Sequence, residues 1–265
     1  MTTERDELAL GAFFADARGR ELRTVINARA QRPVRRIADI GGGDGTVLFP
    51  MATDGAAVVC VDLDEERLAV GAREAHRRGL PMAYVVGDAL KLPVASESCD
   101  VVVVYAALET MIDVAAALAE SARVLRPGGF VIALTPNPHS PITLLDDPHA
   151  HLPFAHVLPH RIARAYAAAL GRRMPSAGVA FRVPTWGQLT MGFAAAGLDL
   201  ELESSLLLKL SNPDYVLSPL RRRVARIAER SGIVQSLRRG SLTPLRRTWD
   251  RRIGRSWLLL GRKPG

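Results

Sequence analysis

DIGGGDGTVL, residues 39–48, is the stretch that decides how the rest of the chain is read. Asp39 closes a short apolar run, RIADI (36–40), and Gly41, Gly43 and Gly45 then follow at alternate positions. At the carboxyl end of a buried strand, glycines let the backbone turn sharply and come close to a ligand. Two phosphate-cradling patterns are excluded. A dinucleotide fingerprint needs a glycine three residues after the second one, where Thr46 stands, and no G-x-x-x-x-G-K-[ST] occurs in the chain.

Outward from the loop, short apolar runs alternate with helix-length segments. AVVCVDL (57–63), AYVVGD (83–88), DVVVVYA (100–106) and FVIALTP (130–136) have the near-continuous Val/Ile character of strands buried on both faces. Helices are predicted over 7–30, 64–78 and 113–125, the last ended by Pro127 to Gly129. Pro50 lies just after the glycine loop and should leave the helix there short or kinked. Further on, Thr185 and Gln188 have capping-box spacing and Gly197 marks a helix stop. Leu198, Leu200 and Leu202 then alternate with acids as a half-exposed strand, and SWLLLGRK (256–263) reads as a last strand. The expected fold class is α/β, a doubly wound Rossmann-like sheet.

The acid-x-G-x-G-x-G spacing, with VVCVDLDEERL, VVGDALKLP, CDVVVVYAALETM and ARVLRPGGFVIALTPN in that order, resembles the class I S-adenosylmethionine-dependent methyltransferase family, type 11-like. The resemblance covers residues 36–137, and it implies a mostly parallel sheet whose last strand is antiparallel. It implies S-adenosyl-L-methionine as cofactor, bound by Asp39, Gly41, Gly43, Gly45, Asp62, Leu63, Asp88, Ala89 and Tyr105. Asp62 would accept the ribose hydroxyls, Asp88 would meet the adenine amino group with the Ala89 backbone beside the ring, and Tyr105 would form a cofactor or acceptor wall. One departure is Glu109-Thr110, where the family often has Glu-His; Glu109 caps or supports the adjacent helix, or touches substrate.

The layout is then one methyltransferase domain over 1–265. Residues 1–35 form a helical cap, 36–137 the cofactor core and 138–184 a lid over the acceptor. Residues 185–210 and 256–263 supply the final helix and strands, and 211–255 an Arg-rich helical insertion. Methyl transfer is an in-line displacement at a good leaving group, so positioning carries much of it. A hydroxyl acceptor also needs a base, and histidine titrates near neutrality. His139, His149 and His151 are the candidate bases, because the fold carries DDPHAHLPFAHVLPH (146–160) over the acceptor site. A metal would use His149 and His151 with His156, His160 and Asp146 or Asp147, but the later spacings match no recognised metal site, so no metal is expected.

The chain's formal charge of +8 belongs to one segment, since residues 211–256 hold twelve Arg against Asp214, Glu229 and Asp250. In 218–239, Leu220, Val224 and Ile227 recur at helical spacing among arginines. That leaves three uses open: peripheral contact with an anionic membrane, a clamp for a phosphate-bearing acceptor, or a solvated lid. Nucleic acid is disfavoured because the segment has only Tyr215 and Trp249 as stacking aromatics. Two cysteines, no apolar stretch of spanning length and an N-terminus unlike a signal peptide suggest a cytoplasmic protein, peripheral at the membrane if the basic helix binds there. The reading is an S-adenosylmethionine-dependent methyltransferase that O-methylates a small-molecule, glycan or lipid-linked acceptor. The alternatives are C- or O-methylation of a membrane-associated quinone-like or polyketide ring, and cofactor binding without catalysis.

Overall fold

A computed structural model describes residues 4–145, 152–171, 183–203, 248–254 and 256–265. The strands are β1 (Arg36–Ile40), β2 (Ala57–Asp62), β3 (Met82–Val86), β4 (Cys99–Tyr105), β5 (Leu125–Pro136), β6 (Asp199–Glu203) and β7 (Ser256–Arg262). The helices are α1 (Glu4–Arg29), α2 (Phe49–Thr53), α3 (Glu65–Arg77), α4 (Val114–Val124), α5 (Pro141–Leu145), α6 (His160–Ala169) and α7 (Trp186–Ala195). The strands make one sheet in the order β3-β2-β1-β4-β5-β7-β6, the expected doubly wound architecture. β1 pairs in parallel with β2 on one side and β4 on the other, so the chain reverses direction across the sheet at β1. In open α/β sheets, ligands bind outside the carboxyl ends of the strands at such a reversal.

The chain forms two compact units, one of residues 1–105, 119–132 and 262–265, the other of 106–118 and 133–261. In the first, the valines of β4 and the apolar residues of β1 are buried on both faces, which is why these runs lack alternation. Asp100 anchors the start of β1: one of its oxygens accepts the backbone N–H groups of Arg35 and Arg36, both at 2.9 Å. Its other oxygen meets the Arg126 guanidinium at 3.1 Å. Arg123 holds the loop before β4 by donating to both Glu120 oxygens and to the carbonyls of Leu92 and Val94. α3 begins where Asp64 accepts the Arg67 N–H at 3.0 Å, with Glu65 and Glu66 in its positive first turn.

In the second unit, α7 opens with the predicted capping box of Thr185 and Gln188, and Gly197 ends it at φ 68°. Leu189 and Phe193 are its buried face, and Gly261 of β7 has no side chain because a Cβ there would strike the Phe193 ring. β6 is half-exposed as its alternation predicts.

One local expectation is corrected. β5 starts at Leu125, five residues before FVIALTP, and carries Pro127 to Gly129 within it. The reason is non-local: Gly128 N–H donates to the Lys263 carbonyl at 3.1 Å, and Lys263 N–H to Gly129 at 2.9 Å, the antiparallel exchange of the last strand. The helix that carries Pro50 is short, as expected, at five residues. A 3-10 turn (Thr46–Leu48) intervenes, and α2 starts at Phe49, so Pro50 falls in a first turn whose N–H groups need no intrahelical partner.

Candidate functional site

The glycine loop closes over the carboxyl end of β1 with Gly41, Gly43 and Gly45 at φ 67°, 58° and 67°, a left-handed backbone that other residues adopt at a cost. Parallel register sets Asp39 beside Cys60. Asp62, at the end of β2, bridges two turns: Oδ2 accepts Gly43 N–H at 2.8 Å and Oδ1 accepts Asp64 N–H at 2.9 Å. Each oxygen keeps a second lone pair for a ligand. Leu63, the next residue, is 71% exposed. Asp88 is exposed, with Oδ1 accepting Leu90 N–H at 2.9 Å, and Ala89 beside it is half-buried.

Asp39 is 2% exposed, and Gly42 packs so close that a Cβ there would collide with its carboxylate. Burial first, then the negative charges of Asp62 and Asp44, push its carboxyl up to about 7. The Cys60 thiol donates to it at 3.9 Å, and the Arg67 guanidinium, lying against Gly43, is the counter-charge. The same burial and carboxylates push the Cys60 thiol far up, which makes it inert. Tyr105 is half-buried and its phenol is pushed up to about 12, chiefly by desolvation, so it serves as a wall and not as a base near neutrality. The loop therefore gathers negative charge, free carboxylate lone pairs and an uncovered apolar side chain. A ligand with a positive charge, a pair of hydroxyls and a flat ring fits that donor set.

In the second unit, Glu109 is 0% exposed in a 3-10 turn (Leu108–Thr110). Thr135 Oγ1 donates to its Oε2 at 3.3 Å, while Oε1 has no partner among the described residues. Burial pushes this carboxyl up to about 7. Thr110, in the place of the family's histidine, closes the turn by donating to the Ala107 carbonyl at 2.7 Å.

His139 is exposed just past β5, its backbone N–H held by Asn137 Oδ1 at 3.1 Å. It lines a cavity of about 400 Å³ with Trp186, Arg251, Arg252 and Trp257. No spacing in the sequence brings these residues together. His149, His151 and the basic segment 218–239 lie outside the described residues. Among the described residues, no group of three or more His, Cys, Asp or Glu could hold a metal ion, and no helix is long and apolar enough to cross a membrane.

Residues 38–133 match the family described as methyltransferase domain. With the glycine loop and sheet order above, this segment resembles the class I S-adenosylmethionine-dependent methyltransferases. A demethylmenaquinone methyltransferase from Beutenbergia cavernae is 36% identical over 110 residues, 42% of this chain and 44% of the relative. A ubiquinone biosynthesis O-methyltransferase from Parvibaculum lavamentivorans is 37% identical over 114 residues, 42% of this chain and 45% of the relative. The matches thus span less than half the length of these relatives. The solved structure of YcgJ protein from Bacillus subtilis shares the fold, with a TM-score of 0.52 at 17% identity over 93% of this chain and 99% of that one.

Proposed function

We propose that the chain is an S-adenosylmethionine-dependent methyltransferase acting on a small-molecule ring acceptor, quinone-like in character, at oxygen or carbon. The observation that carries the cofactor reading is the Gly43 N–H to Asp62 hydrogen bond at the point where the sheet reverses. It joins the glycine loop to a carboxylate with spare lone pairs, as a ribose-binding acid requires. In this reading Asp62 accepts the ribose hydroxyls, Asp88 and the Ala89 backbone meet the adenine, and Leu63 is covered by its face. Gly41, Gly43, Gly45 and Asp39 hold the amino-acid end, and Tyr105 is a wall. Bound there, the cofactor supplies an electrophilic methyl group on a sulfonium.

The chain's own part is to exclude water and hold the acceptor in line, and for a hydroxyl acceptor to take its proton. His139, His149 and His151 are the groups proposed for that step. A ring acceptor is favoured over a glycan because the curated relatives above are named for quinone pathways. Calorimetry with S-adenosylhomocysteine tests the cofactor reading: single-site binding is expected, and binding of a nicotinamide cofactor in its place overturns it. Transfer of labelled methyl from S-adenosylmethionine to hydroxylated naphthoquinones, against polysaccharide acceptors, tests the acceptor class.

A further inference from the structure

We propose that the cavity formed by His139, Trp186, Arg251, Arg252 and Trp257 binds a planar ring that carries an oxyanion, either a carboxylate or a phosphate. Its volume of about 400 Å³ suits one small molecule. The Trp186 and Trp257 rings meet edge to face, centroids 5.4 Å apart at 71°, which offers an indole surface of fixed orientation. The Arg251 guanidinium lies 5.2 Å from the Trp186 ring centroid. Arg251 and Arg252 are exposed, and among the described residues neither is paired with a carboxylate.

The frame behind these groups is rigid. Trp257 is 1% exposed, and its Nε1–H donates to the Arg251 carbonyl at 3.1 Å. The fully buried Asn137 donates through Nδ2 to the carbonyls of Arg251 and Gly254, at 3.3 and 3.1 Å, and accepts His139 N–H on its oxygen. One buried amide thus fixes the backbone on both sides of the cavity. Two guanidinium groups on a fixed turn, unpaired among the described residues, favour a bidentate oxyanion, and the part-exposed Trp186 indole, braced by Trp257, favours a flat ring beneath it. The inference does not depend on methyl transfer.

Calorimetry on the full chain tests it with 2-naphthoate, 2-naphthyl phosphate, neutral 2-naphthalenemethanol and inorganic phosphate. At least one naphthalene acid should bind about tenfold tighter than the alcohol and than inorganic phosphate, and the acid that does so identifies the anion. The R251Q/R252Q double variant should lose that preference and still bind the alcohol, which shows its cavity intact. Trp186→Leu should weaken all three naphthalene ligands. The proposal is overturned if acid and alcohol bind equally, if inorganic phosphate binds as tightly as the ring-bearing acids, or if the double variant keeps the preference. Failure of all naphthalene ligands to bind also overturns it. S-adenosylhomocysteine is titrated in parallel: its failure counts against the methyltransferase reading and leaves the cavity result standing.

Discussion

The two compact units concentrate opposite charges around their concave features. In the first, Asp39, Asp44 and Asp62 crowd one glycine loop with Arg67 as counter-charge. In the second, Arg251 and Arg252 stand beside two indoles with no carboxylate paired to them among the described residues. Each arrangement keeps unfavourable electrostatics that a partner of opposite sign relieves. That is how a site, as distinct from a core, announces itself. The proposed ligand of the first unit is cationic and that of the second anionic, so the two should respond differently to the same perturbations.

The largest expected effect separates them by mutation. Asp62→Ala removes the proposed acceptor of the ribose hydroxyls and the anchor of Gly43, and charge-assisted hydrogen bonds are each worth about 1.5–3 kcal/mol. S-adenosylhomocysteine affinity should fall by roughly a hundredfold, while naphthoate binding in the second unit stays as it is. Parallel losses in both titrations would end the comparison.

Acidity gives the next effect. A cationic ligand binds the ionised form of Asp39, whose carboxyl is held at about 7 in the free protein. Affinity for S-adenosylmethionine should therefore rise about tenfold between roughly pH 6 and pH 8, with a proton released, and Asp39→Asn should flatten the profile. An unchanged slope in that variant would remove Asp39 from the ligand's charge balance.

Glu109 supplies the counterpart in the second unit, read through stability. Its folded pKa of about 7 lies above the ordinary 4.5, so its contribution is fully present below about pH 4.5 and is lost as pH rises toward 7. Across that window Glu109→Gln should melt with a shallower pH dependence than the parent chain. Equal slopes would mean that Glu109 does not carry a buried proton. The smallest expected effect uses helix caps. Asp64→Ala and Thr185→Ala should each cost about 1 kcal/mol. If the units unfold separately in calorimetric scans, each variant should shift only its own transition.

Most of the first unit is legible in the sequence because its determinants are local. A strand buried on both faces reads as an unbroken Val/Ile run, and β1, β2 and β4 fall within one residue of the bounds that such runs predict. The capping box of α7 and the stop at Gly197 are short-range devices and are equally plain. The early start of β5 is not, since it depends on pairing with Lys263, more than a hundred residues away. The indole cavity is illegible for the same reason. Trp186, Arg251 and Trp257 share no motif, and Arg251 and Arg252 read as part of a solvated Arg-rich run until Asn137 and Trp257 fix their backbone. Glu109 could be noticed in sequence, but its burial and its hydrogen bond to Thr135 could not.

Arg262 and Lys263 tie together parts of the first unit made long before them. Arg262 donates to the Arg29 carbonyl at the end of α1 and to Gly128, and its guanidinium lies over the Phe130 ring. Lys263 Nζ donates to the carbonyls of Ala122 and Leu125 at the end of α4. Two neighbouring cations thus satisfy carbonyls at the ends of α1 and α4 that lie more than a hundred residues earlier in the chain. The first unit therefore becomes complete only after residues 133–261 of the second have been made.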